Sequence, residues 1–117
     1  MAARRLEQMA TDGESLVAQL TGGTRTKTQA PFDVVDFSAG VAYEVKTVSY
    51  LALTGTNKIH IEGGAWERKQ RFLAEYGLRG VLMVVIIYDE NHVEVYRTGL
   101  KAHQRISTAI KHGVRIN

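Results

Sequence analysis

The stretch PFDVVDFSAGVAYEVKTVSY, Pro31 to Tyr50, decides how the rest of the sequence is read. Its two β-rich runs, DVVDF and VAYEVKTV, flank Ser38-Ala39-Gly40, a pattern that predicts an antiparallel hairpin. Asp33, Asp36, Glu44 and Lys46 nevertheless interrupt runs that a hairpin would fill with core residues. Glu44 and Lys46 are two positions apart on one strand and share a face, with Tyr43 and Val45 on the other. The turn decides which aspartate joins them. A two-residue Ala39-Gly40 turn pairs Ser38 with Val41 and puts Asp33 on the Glu44 face, whereas a three-residue turn pairs Phe37 with Val41 and puts Asp36 there instead.

Upstream of the hairpin, Thr11 or Asp12 reads as a helix cap, Leu16, Val17 and Leu20 recur at helical spacing, and Gly22-Gly23 reads as a stop. The expectation is a helix from about Asp12 to Leu20, with residues 1–11 a helical extension reaching toward Ala3. RTKTQA is a polar, basic loop leading to Pro31.

Downstream, YLALTGTNKIHIEGG reads as a loop with a short strand at KIHI. AWERKQRFLAEYG is a helix of about three turns, closed at Gly77 and carrying Trp66, Phe72, Leu73 and Tyr76 as its core stripe. Val81 to Tyr88 has too many consecutive apolar and β-branched residues for a half-exposed strand and predicts one buried on both faces. HVEVY alternates as a strand, and AHQRISTAIKHG predicts a final helix ending at Gly113.

A strand, a helix and a doubly buried strand imply a right-handed parallel crossover. The predicted fold is therefore a small α/β three-layer sandwich whose mixed central sheet carries an antiparallel hairpin at one side. At 117 residues the chain is expected to form one domain.

Composition narrows the function classes. Apolar and charged fractions of 44% and 23% are ordinary for globular chains and exclude disordered, collagen-like and membrane-spanning classes. Cysteine is absent, which excludes disulfides and thiolate metal sites. The start, MAARRLEQMATDGES, lacks the apolar core of a signal peptide, and a cytoplasmic protein without a membrane partner is the expectation.

A formal charge of +3 leans toward polyanions, and its distribution says more than its size. Thr98 to Asn117 carries Lys101, Arg105, Lys111 and Arg115 with no acid, while acids gather at Asp33, Asp36 and Glu44. A basic rim around an acidic centre suits a metal-dependent phosphodiesterase, and a solvated basic face reads equally well from charge alone. Clustered carboxylates raise one another's pKa values and are costly for folding without a partner. A divalent cation removes that cost, because Asp and Glu oxygens are its natural ligands.

PFD at Pro31 to Asp33, followed by EVK at Glu44 to Lys46, resembles the PD-(D/E)XK nuclease superfamily of restriction endonucleases and archaeal Holliday junction resolvases. The order of elements from about Asp12 to Tyr88 resembles that superfamily's restriction endonuclease-like core. The resemblance implies that Asp33 and Glu44 ligate Mg²⁺ or Mn²⁺, with the Val45 carbonyl as a further ligand. It implies that Lys46 positions the attacking water, and that a first-helix glutamate assists: Glu14, with Glu7 or Asp12 as alternatives. It also implies help from a polar residue on the helix after the motif, Lys69 or Gln70. A glutamine-x3-tyrosine signature and a specificity domain are both missing.

Arg25, Lys27, Asn57 and Lys58 lie in loops flanking the predicted site and, together with Lys69, are candidate nucleic-acid contacts. The histidines His60, His92, His103 and His112 show no metal-type pairing and read as surface residues or phosphate contacts. The expected activity is that of a divalent-metal-dependent endonuclease acting on DNA, with a homodimer compatible and a phage or mobile-element setting fitting a bare small domain. The competing readings are a non-catalytic nucleic-acid-binding or assembly module of the same fold, and a ribonuclease.

Overall fold

The computed structural model describes residues 2–27, 29–51 and 58–117, with side chains from residue 10 onward. Three helices, α1 (Ala2–Thr21), α2 (Gly63–Tyr76) and α3 (Ile106–His112), flank a mixed sheet. Its strands are β1 (Thr24–Arg25), β2 (Val34–Asp36), β3 (Val41–Ser49), β5 (Arg79–Asp89), β6 (His92–Gly99) and β8 (Val114–Arg115), in the order β1-β2-β3-β5-β6-β8. A separate two-stranded ribbon joins β4 (Lys58–His60) to β7 (His103–Arg105).

The hairpin forms, but its register differs from both expected ones. Val34 pairs with Tyr43, Val35 with Ala42 and Asp36 with Val41, so residues 37–40 make a wider turn. Asp36 widens it: its carboxylate accepts the Ala39 N–H at 3.1 Å, and Gly40 closes the turn at φ 72°. The register lies two residues from that of the two-residue turn, and a slip of two preserves the faces. Asp33 therefore falls beside Glu44, while Asp36 falls on the Val41–Tyr43 face.

β3 runs parallel to β5, with Glu44 level with Leu82 and Lys46 with Val84, and α2 forms the crossover between them. β5 is the buried centre: Val81 to Ile86 are all buried, which its unbroken apolar run requires. One sheet face, with Val41, Tyr43, Met83, Val85 and Val95, packs on Val17 of α1. The opposite face carries Val48, Leu82, Val84 and Ile86 against Ile106 and Ala109 of α3. On that side Phe72 and Leu73 of α2 cover Phe32, Val35 and Ala42.

α1 begins at Ala2, as the expected helical extension, because the segment AARRLEQMA consists of strong helix formers that carry the helix through the cap read at Thr11-Asp12. The last helix starts later than expected, at Ile106, because residues 103–105 pair with β4 as a strand. Tyr76 is half exposed, against Phe37 and Phe72, and lies at the edge of the core. No described helix is long and apolar enough to cross a membrane.

The close approach of α1 to β3 depends on Gly13, where an added Cβ would lie 1.9 Å from Thr47 Oγ1. Ala normally favours a helix interior over Gly by about 1 kcal/mol. Here Gly13→Ala is expected to destabilise by about 1–3 kcal/mol through overpacking, with partial recovery in Gly13→Ala/Thr47→Ala, both measured by urea unfolding.

Candidate active site

The hairpin and α2 assemble the candidate site at the point where β2 begins. Asp33 precedes β2, and β3 holds it twice: its N–H donates to the Tyr43 carbonyl at 3.1 Å, and its Oδ2 accepts the Val45 N–H at 2.8 Å. The carboxylate thus takes the place of a backbone acceptor just beyond the ladder. The amide and carbonyl of one strand residue point to the same side, so the Val45 carbonyl also turns toward the start of β2. Thr26 fixes the segment from outside, its N–H donating to the Asp33 carbonyl at 3.0 Å and its hydroxyl to the Phe32 carbonyl.

Glu44 faces Asp33, and the two carboxyl groups lie within hydrogen-bonding reach. Lys69 of α2 approaches Glu44 from the other side, Nζ to Oε2 2.7 Å. The ammonium also donates to the Pro31 carbonyl and lies 4.6 Å from the Phe32 ring centroid. Each residue of PFD therefore has its own contact: a carbonyl for Lys69, a ring beneath it, and a carboxylate beside Glu44. Arg68, next on α2, donates to the Gln29 carbonyl and ties the preceding loop to the same helix.

Burial pushes the Glu44 carboxyl up to about 7, Asp33 adds to the rise, and Lys69 opposes it. Glu14 on α1 is raised as well, by burial and then by Asp33, against the Arg25 guanidinium 3.6 Å away. Glu14, Arg25, Lys27 and Asp33 line one cavity of about 270 Å³. Lys46 is half-buried on the Glu44 side of β3 and, among the described residues, makes no ion pair or side-chain hydrogen bond.

The structure thus brings together Asp33, Glu44, Lys69, Glu14, Arg25 and Lys27, with Lys46 and Val45 on the same strand as Glu44. It chooses Lys69 over Gln70, which is exposed. Lys58 does not line that cavity and lies in β4 opposite Arg105. Glu7 and Asn57 lie outside the described residues or side chains. The depth of Lys69 in the site was readable from the sequence: Lys69, Phe72, Leu73 and Tyr76 fall at i, i+3, i+4 and i+7, which puts a lysine on the apolar stripe of α2.

Among the described residues no group of three or more His, Asp or Glu side chains forms a ready-made cation cage. The donor set still fits a hard cation such as Mg²⁺, which is bound through one or two carboxylates and keeps several waters. Asp33, Glu44 and the Val45 carbonyl offer oxygen only, and the single Lys69 ammonium stands against two carboxyl groups. No protein-family model and no curated protein matches the sequence, so the chemistry of the site is read from its own residues.

Two outcomes are expected. Lys69→Ala leaves the Glu44–Asp33 pair without its counter-charge and should cost about 3 kcal/mol in chemical unfolding. In EDTA, stability should fall as pH rises from the ordinary 4.5 of Glu44 through its folded value of about 7, because across that window the unfolded chain ionises first. Glu44→Gln should flatten that part of the profile in thermal melts, and an unchanged profile would contradict the assignment.

Proposed function

We propose that the chain is a divalent-metal-dependent nuclease that hydrolyses DNA phosphodiester bonds. The observation that carries this reading is the contact between the Asp33 and Glu44 carboxyl groups on a strand whose next residue on that face is Lys46. The resemblance of PFD and EVK to the PD-(D/E)XK superfamily supports it, as does the order of helix, hairpin, helix and buried strand.

In this reading Asp33, Glu44 and the Val45 carbonyl hold the ion. Mg²⁺ or Mn²⁺ would supply there the Lewis acidity that makes water nucleophilic near neutral pH and offsets charge on the phosphoryl oxygens. Lys46, free of other partners among the described residues, hydrogen-bonds the attacking water and stabilises the charge that builds on the phosphate. Arg25 and Lys27 border the Asp33 cavity and hold the neighbouring phosphates of the strand. Lys69 keeps Glu44 turned toward Asp33 without touching substrate, and so acts as a positioning residue. Glu14, with its raised affinity for a proton, lines the same cavity and is placed to exchange one with water.

Plasmid, single-stranded and branched DNA incubated with Mg²⁺ or Mn²⁺ tests the reading. Cleavage is expected with metal and not in EDTA, with losses of about 10²–10³ in rate for Lys46→Ala and Asp33→Ala. Folded wild type that cuts no DNA would overturn DNA as substrate, and RNA in the same assay reads the ribonuclease alternative. Variants that cut as well as wild type would overturn the site.

A further inference from the structure

The ribbon β4–β7 has a charge pattern that its own folding does not explain. Its register sets Lys58 opposite Arg105, Ile59 opposite Gln104, and His60 opposite His103. Ile59 is buried in the cluster that includes Ile106, so the central pair anchors the ribbon to the core. The two outer pairs lie on the other face, and all four of those side chains are exposed. Like charges directly across a strand pair repel, and here a lysine faces an arginine with two imidazoles in the adjacent pair.

The imidazoles meet, Nδ1 to Nδ1 at 2.7 Å with ring centroids 4.4 Å apart, a pairing that reading the histidines as isolated surface residues misses. A transition-metal ion between them is the first chemistry to weigh. Two nitrogens on one tetrahedral Zn²⁺ at about 2.0–2.1 Å each stand roughly 3.3 Å apart, so the pair would have to open. Lys58 and Arg105 beside them repel any cation, whereas an anion relieves that facing pair of fixed positive charges. Electrostatics therefore selects an anion.

The surface is also extended. The cavity over the ribbon, about 480 Å³, shares His103, Gln104 and Arg105 with a second cavity of about 280 Å³ that continues past Lys101 to His112. Among the described residues, no acidic side chain lines either one. A single phosphate needs one focus, and a continuous basic groove suits a chain of them.

We propose that the β4–β7 ribbon is a second phosphate-binding surface, which holds a nucleic-acid backbone through Lys58, His60, His103 and Arg105 apart from the carboxylate site. Its contacts read charge and not base identity, so binding is independent of sequence and dependent on salt. This surface does not require that the carboxylate site cut anything.

The experiment is a salt series of fluorescence anisotropy with labelled single-stranded and duplex oligonucleotides in EDTA, using the full chain. Lys58→Ala/Arg105→Ala is expected to weaken binding by about tenfold or more at low salt. It should also reduce the slope of log affinity against log salt by about 1.4–1.8, the value for two lost phosphate contacts. The same loss is expected in an Asp33→Asn background, which separates binding from cleavage. Both alanine positions are exposed, and melts should show stability unchanged or raised as facing like charges are removed. Should that variant misfold, His60→Gln/His103→Gln reads the neighbouring pair, with a smaller loss expected. Unchanged affinity and slope in a folded variant would overturn the proposal, as would wild type that binds neither oligonucleotide at low salt.

Discussion

The buried ammonium of Lys69 is the constraint on which the site depends. A lysine on the apolar stripe of a helix is unfavourable unless its charge is matched, and removing one partner of a buried pair is far costlier than the pair itself is stabilising. Lys69 meets that condition by drawing on two segments distant in sequence, the Pro31 carbonyl and the Glu44 carboxylate. Phe32 is thereby fixed beneath the ammonium and against Phe72. Asp33, the next residue, then has little freedom, because β3 holds its amide and its carboxylate on either side of Glu44.

The same arrangement forces two carboxylates together. A single lysine answers one of them, and the Glu44 carboxyl is left holding its proton to about 7. A chain selected for stability alone would replace one acid with an amide or an apolar residue. Both acids are present, with Lys46 close by on the same strand. The ribbon has the opposite imbalance, basic side chains facing one another with no acid between the paired positions.

Much of the fold was legible because its signals are local. The unbroken apolar run from Val81 to Ile86 could only be a central strand, Gly77 could only end a helix, and the strand, helix, buried strand order implied the parallel crossover. The extension of α1 before Thr11 and Asp12 was legible in the same way, as a continuous run of helix formers. Residues 103–105 looked helical because their strand partner, β4, lies far away in sequence.

The sequence by itself determined the chemistry available: acids two-thirds of a hairpin apart, a lysine two residues beyond the second, and a basic C-terminal segment. It also determined that Glu44 and Lys46 share a face, since strand periodicity is a property of the backbone alone. Only the folded hairpin decided that Asp33 and not Asp36 stands beside Glu44, because the register is fixed by cross-strand bonds such as those of Asp33 to Tyr43 and Val45. Only the tertiary structure decided that Lys69 completes the pair and that His60 meets His103. Those contacts join segments separated by the crossover and by the whole of β5 and β6, and no local pattern encodes the distance between residues that the packing of a sheet brings together.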